Sequence, residues 1–329
     1  MASLLHPLLR LTNFRSPLLR VLVPSVAAAF ALQAAAAAPS VLGQTERFYD
    51  ISGSATVLAV GALSLYLPAL RARAAGQITR LPSLLAALRP GGGAAAGEAA
   101  AAALNWRQVV VTGMAMIWTL RLGSYLFRRV LSDGSDSRFD KFRTRPLAFA
   151  GCFMAQAVWV SLMLAPVLAL NAAPAAALPA GLGVADVLGI GLWVAGLGFE
   201  ATADAQKSKW AREKRLKLHD EDFLTSGLFG VSRFPHYFGE ITLWTGLATV
   251  AAAALARGPV QLGLGLGGGL AGVLTTTALS FASPAFSAFL LTKVSGIPLS
   301  EGKYDKRYGG RKDYEEWKRN TPRLVPKLW

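Results

Sequence analysis

Arg233, His236, Tyr237 and Glu240 form the densest group of chemically active side chains in the sequence, inside the run from Gly227 to Glu240. Proline suits the first turn of a helix, where its missing N–H is no loss, so Pro235 predicts a helix start. On that helix His236 and Glu240 stand four apart, and Tyr237, Glu240 and Trp244 follow i, i+3 and i+7, which makes one polar and aromatic face. Helix N-terminal amides together with Arg233 favour an anionic partner. A carboxylate at Glu240 would orient His236 or accept from an amide. An interfacial belt of His, Tyr and Trp does not explain why a carboxylate enters an apolar helix, and ionisable groups inside a span mark function by default.

Two other segments carry charge in a useful pattern. Glu200, Asp204 and Lys207 are spaced to share a helix face, either as a structural ion pair or as part of a site. The stretch from Lys207 to Lys217 then reads as a loop with six basic residues and Glu213, suited to a phosphate-rich ligand or to anionic headgroups. The tail from Ser300 to Trp329 brings Glu301, Tyr304, Tyr308, Arg311, Tyr314, Trp317, Arg319 and Arg323. It can fold back as a cap, with arginines for phosphate and aromatics for a ring, or lie on the membrane as an amphipathic anchor.

These residues must be positioned by membrane helices. The 329-residue chain is 53% hydrophobic and 16% charged, too few charges for an ordinary soluble enzyme. Its net charge of +15 would suit a nucleic-acid binder, but such a protein does not also carry several apolar runs of about twenty residues. Those runs fall near Val21 to Leu42, Ile51 to Leu70, Val109 to Phe127, Phe149 to Asn171, Val184 to Ala203, Pro235 to Ala256, and Val260 to Leu291. They predict an all-α, multi-pass bundle of about seven spans. In the last run Gly267 to Gly269 and Pro284 would leave one long kinked helix or two pieces. Arg121 lies inside the third run, either snorkelling to the interface or serving a function.

With seven spans, 24 of the 34 basic residues collect on one side together with the C-terminus, which makes that side cytosolic by the positive-inside tendency. The five arginines from Arg71 to Arg107 run against the trend. Residues 1–45 form a basic flank and first span, and 46–329 the main membrane domain. Arg10, Arg15 and Arg20, with no acid before Glu46, read as an ordinary flank or as an organelle presequence. The endoplasmic reticulum and a mitochondrial membrane are both consistent locations. One cysteine, Cys152, and three scattered histidines, His6, His219 and His236, imply no metal site.

The runs Phe199 to Lys207, Gly227 to Glu240 and Ser295 to Glu301, with Trp118 to Leu122 and Asp136 to Phe142, resemble the DUF1295 branch of the steroid 5-alpha-reductase-like membrane proteins over roughly residues 46–329. That resemblance implies an NADPH-dependent reductase acting on a carbon–carbon double bond of a sterol, steroid or isoprenoid-like lipid. Carried over to matching positions, it implies cofactor contacts at Lys207, Arg212, Arg233, His236, Tyr237, Glu240, Glu301, Tyr308, Tyr314 and Arg319. Tyr49, Asp50 and Tyr66 are candidates for the proton donor. Where the family reads Arg-His-Pro-Asn-Tyr, this chain has Phe234 for the first His and His236 for the Asn. There is no Gly-rich strand-turn-helix fingerprint, so an NADPH site here is not a Rossmann site. The wider group also contains isoprenylcysteine-type methyltransferases that use S-adenosylmethionine. A lipid methyltransferase and a non-catalytic lipid-binding protein are therefore the competing readings.

Overall fold

A computed structural model describes residues 7, 9–89, 103–133 and 136–327. Helices account for the architecture, and no strand occurs among the described residues. The principal helices are α1 (Pro17–Leu42), α2 (Tyr49–Ala74), α3 (Trp106–Asp133), α4 (Pro146–Met163), α5 (Ala165–Ala172), α6 (Val184–Arg215), α7 (Pro235–Leu255), α8 (Gly258–Gly263), α9 (Leu270–Phe289), α10 (Ile297–Tyr308) and α11 (Lys312–Asn320). Seven helical stretches among the described residues are long and apolar enough to cross a membrane. The chain divides into two compact units, residues 1–186 with 248–283, and residues 187–247 with 284–329.

In the first unit α1 packs on α2, α4 and α5, and α2 packs on α3, α4 and α5. With apolar side chains all round, specificity between helices comes from small residues and from side-chain amides and hydroxyls that bond across them. Gln33 Nε2 on α1 donates to Thr56 Oγ1 on α2 at 2.8 Å. Asn171 Nδ2 on α5 donates to Ser64 Oγ on α2 at 2.9 Å and to Thr112 Oγ1 on α3 at 3.1 Å. At one end of these helices Phe139, Phe149 and Phe153 pack with Tyr49, and Arg143 donates to Glu46 at 2.9 Å. At the other end Arg107 grips Asp186 through Nε and Nη2 at 2.9 and 2.6 Å; both residues are buried.

In the second unit α6 and α7 cross at glycines. A Cβ on Gly196 would stand 2.6 Å from Leu243 N, one on Gly239 2.7 Å from Glu200 N, and one on Gly246 2.4 Å from Gly189 O. The backbones therefore touch, the close approach that small residues permit in membrane helices. Beyond α9 a π-helical turn, Leu290–Val294, leads to α10.

Two boundaries differ from those the hydropathy suggests, and in the last run the structure takes the second of the two alternatives. Helix α6 does not end near Ala203: it continues to Arg215, so Lys207 and Arg212 ride on a helix and not on a loop. Ala, Gln, Lys, Arg and Glu are strong helix formers even in water, and a Lys209–Glu213 pair spans i to i+4. The fourth run splits into α4 and α5 at Leu164, because Pro166 cannot donate to the helix before it. The last run splits into α8 and α9: Gly265, Gly267 and Gly268 have φ of +74, +71 and +75°, a left-handed turn that glycine adopts freely.

Candidate functional site

Pro235 opens α7 where the sequence places it. Just before it the chain makes a turn whose shape depends on Gly227, with φ +61°. Gln206 of α6 lies directly beneath that glycine, and a Cβ there would meet Gln206 Oε1 at 2.6 Å. Gln206 Oε1 accepts from Leu228 N at 2.9 Å, so α6 holds the turn that presents Arg233 and His236.

The tail holds the same turn from the other direction. Arg233 N donates to Pro322 O at 2.9 Å and Lys327 N to Val231 O at 3.0 Å, while Ser232 Oγ donates to Leu324 O at 2.8 Å. Arg233 Nη1 reaches Glu301 Oε1 of α10 at 2.5 Å, with only 11% and 20% of the two side chains exposed. The fold-back read from the tail's composition is therefore present. Its first use is to clamp the start of α7.

The His236 ring lies 4.0 Å from the Tyr237 ring, 6.1 Å from Phe229 and 6.4 Å from Phe234, centroid to centroid. Tyr237 in turn stacks on Phe234 at 5.7 Å. The His236 Nδ1 atom is buried and has no hydrogen-bond partner among the described residues. Lys207 is near enough for its charge to act on the ring. One turn along α7, Glu240 Oε1 accepts from Ser287 Oγ of α9 at 3.1 Å. Lys207 and Arg212 on α6 and Arg319 on α11 are exposed.

Tyr308 and Tyr314 belong to a packed aromatic cluster. Both are buried with Phe223 and packed beside Trp317, the Phe223 ring lying 5.4 to 5.5 Å from the other three. Tyr308 Oη donates to Asp222 O at 3.0 Å and Tyr314 Oη to Asp305 Oδ1 at 2.7 Å. Burial, then the Asp305 carboxylate, raises the Tyr314 phenol above its ordinary range. The Tyr308 hydroxyl thus holds loop 220–224 against α10, and the Tyr314 hydroxyl ties α11 to α10. Arg311 closes the outer edge, bonding Asp222 at 2.6 Å and Asp313 at 2.7 Å. Sequence reasoning missed Gln206, Ser232 and Phe223. Phe223 alone left a signal, as a lone aromatic directly after Asp220, Glu221 and Asp222.

The three proton-donor candidates belong to the first unit. Tyr49 Oη donates to Cys152 O at 3.1 Å, Asp50 faces Arg138 at 3.3 Å, and Tyr66 packs against Leu65, Ala87 and Leu104.

A family model described as a protein of unknown function, DUF1295, matches residues 89–265 and 268–321. Neither the curated proteins nor the solved structures contain a match to this chain.

Proposed function

The chain belongs to the DUF1295 family, and from that premise we propose that it is an NADPH-dependent membrane oxidoreductase that reduces a carbon–carbon double bond of a sterol, steroid or isoprenoid-like lipid. The observation that carries this reading is the His236 ring, whose buried Nδ1 has no hydrogen-bond partner among the described residues at the first turn of α7. A buried polar atom with no hydrogen bond costs about 1–3 kcal/mol, a cost that a bound ligand removes by supplying the missing partner. Cations stand nearby: Lys207 acts on the ring, and Arg233 precedes it by three residues.

NADPH, when bound, supplies a hydride to the activated alkene. Toward that group the exposed cations Lys207, Arg212 and Arg319 would hold phosphate, which guanidinium and ammonium groups bind through charge-assisted bonds. His236 Nδ1 would bond a polar atom of the cofactor, the Glu240 carboxylate would accept a hydrogen bond from it, and Tyr237 would offer it a ring face. Arg233 and Glu301 would shape the site as a pair, since each neutralises the other. Tyr308 and Tyr314 would act at one remove, by fixing the tail.

The test is direct binding to the full-length protein in detergent, NADPH against S-adenosylmethionine, with His236→Ala and Glu240→Gln beside the exposed control Arg47→Ala. Losing one ligand hydrogen bond to a charged or buried partner weakens affinity about tenfold or more, so both site variants should lose that much and the control nothing. An extracted lipid that gains two hydrogens only with NADPH would support the reaction. Binding of S-adenosylmethionine without NADPH would overturn it in favour of methyl transfer. Unchanged NADPH affinity in both variants would remove this site.

A further inference from the structure

The first unit contains a cavity of about 700 Å³ with no role in the reading above, a size typical of sites for small organic ligands. It sits where the start of α1, the end of α2, the start of α3 and the end of α5 meet, so it lies at one end of the bundle. Its walls have two characters. Leu9, Val21, Leu65, Pro68 and Leu104 make an apolar side, and Arg10, Arg20 and Arg71 make a cationic one.

Arg71 organises the cationic side. Its Nη1 donates to Leu9 O at 2.7 Å, and its Nη2 to Thr12 O, Thr12 Oγ1 and Arg20 O at 3.0, 2.7 and 3.1 Å. These bonds fold the basic flank back over the end of α2. A second arginine, Arg20, lies near enough for its charge to act on Arg71, and its Nε is turned to Phe14 O at 2.5 Å. No Asp or Glu occurs among the described lining residues. Among the described residues, Asp186 at this end of the unit is already gripped by Arg107, and Glu46, Asp50 and Asp136 lie at the opposite end of the same helices. Arg10 is exposed and Arg20 and Arg71 are half-buried; like charges gathered on one wall repel, and a bound anion relieves that repulsion.

We propose that this cavity binds a phosphate-bearing anion, and that its apolar side selects an anionic phospholipid as the source over free phosphate. The phosphate would meet Arg10 and Arg20 beneath Arg71, and an acyl chain would run along Val21, Leu65 and Leu104. The site uses none of the residues assigned to the cofactor, so it stands or falls separately from the reductase reading.

The experiment measures binding of phosphatidylglycerol, phosphatidylcholine and inorganic phosphate to the full-length protein in a neutral detergent, for the wild type, Arg10→Gln/Arg20→Gln and the control Arg15→Gln. Arg15 is exposed and outside the cavity lining. The wild type should prefer phosphatidylglycerol to phosphatidylcholine, and raised salt should reduce the preference. With each arginine beside an anionic headgroup worth about a factor of five, the double variant should bind phosphatidylglycerol roughly twenty-five-fold more weakly. Arg15→Gln should match the wild type. Equal retention of the two lipids by the wild type overturns the proposal whatever the variants do. Displacement of the lipid by millimolar inorganic phosphate overturns the lipid as the source, and an equal loss in Arg15→Gln would reduce the effect to general surface charge.

Discussion

Arg233 and Glu301 were both expected at the cofactor, and the structure pairs them with each other at 2.5 Å, a difference that a double-mutant cycle resolves. At an effective dielectric near 20, two unit charges about 4 Å apart attract by about 4 kcal/mol. Desolvation offsets part of this, because the side chains keep only 11% and 20% of their exposure. Exposed pairs are worth about 0–1 kcal/mol, and unpairing a fully buried one costs about 3–5 kcal/mol, so a coupling of about 2 kcal/mol is expected here. The four proteins are the wild type, Arg233→Gln, Glu301→Gln and the double variant, each followed by unfolding in detergent and by NADPH titration. If the pair acts as one structural unit, each single substitution destabilises the tail and the second adds little to either readout. A coupling below about 0.5 kcal/mol, with losses of NADPH affinity that add, would refute this and put each group on the ligand separately.

Two further outcomes follow from the same unit. Gly239→Ala should cost about 1–3 kcal/mol by overpacking, because its Cβ would lie 2.7 Å from Glu200 N and Gly196 O, two backbone atoms that cannot swing away; Gly198→Ala, where a Cβ meets nothing within 4 Å, should leave the melting temperature in detergent unchanged or higher. The tail should loosen in acid: hydrogen bonds from Arg311 hold the Asp222 and Asp313 carboxyls below their ordinary range. Depressed carboxylate values contribute stability above the unfolded value of about 4, and that stability is lost as pH falls through the lower folded values. Pepsin cleavage near residues 309–320 should therefore rise steeply below about pH 4 in the wild type. It should already be high and nearly flat with pH in Arg311→Gln.

How much the sequence discloses depends on the range of the interaction that decides each feature. Apolar runs of spanning length act locally, and seven helices long and apolar enough to cross a membrane occur among the described residues. Pro235 acts on its own residue, and α7 starts where that proline places it. The charged continuation of α6 was misread because polarity resembles a loop in a hydropathy profile, whereas Ala, Lys, Glu and Arg hold a helix perfectly well in water. The packing of the tail tyrosines is hidden in the sequence for a different reason. An aromatic that grips a ligand and one that packs on Phe223 look alike until a residue about ninety positions away is brought beside it. The Gln206 support for Gly227 is equally invisible, since it spans two elements and leaves no periodicity.

The length of α6 has a mechanical consequence. Thirty-two residues at about 1.5 Å each make a rod of about 48 Å, whereas the hydrocarbon core is about 30 Å thick. The rod is braced by backbone contact with α7 through Gly189, Gly196 and Glu200, and beyond that brace it carries Gln206, Lys207 and Arg212. It therefore behaves as a lever with its fulcrum among the glycines. From Gly196 to Arg212 the arm is about 24 Å, so a tilt of only about 5° sweeps its cationic tip through about 2 Å, enough to make or break a hydrogen bond. Small changes in bilayer thickness or in what fills the space beside α7 would in this way be magnified into a change in where the positive charge stands.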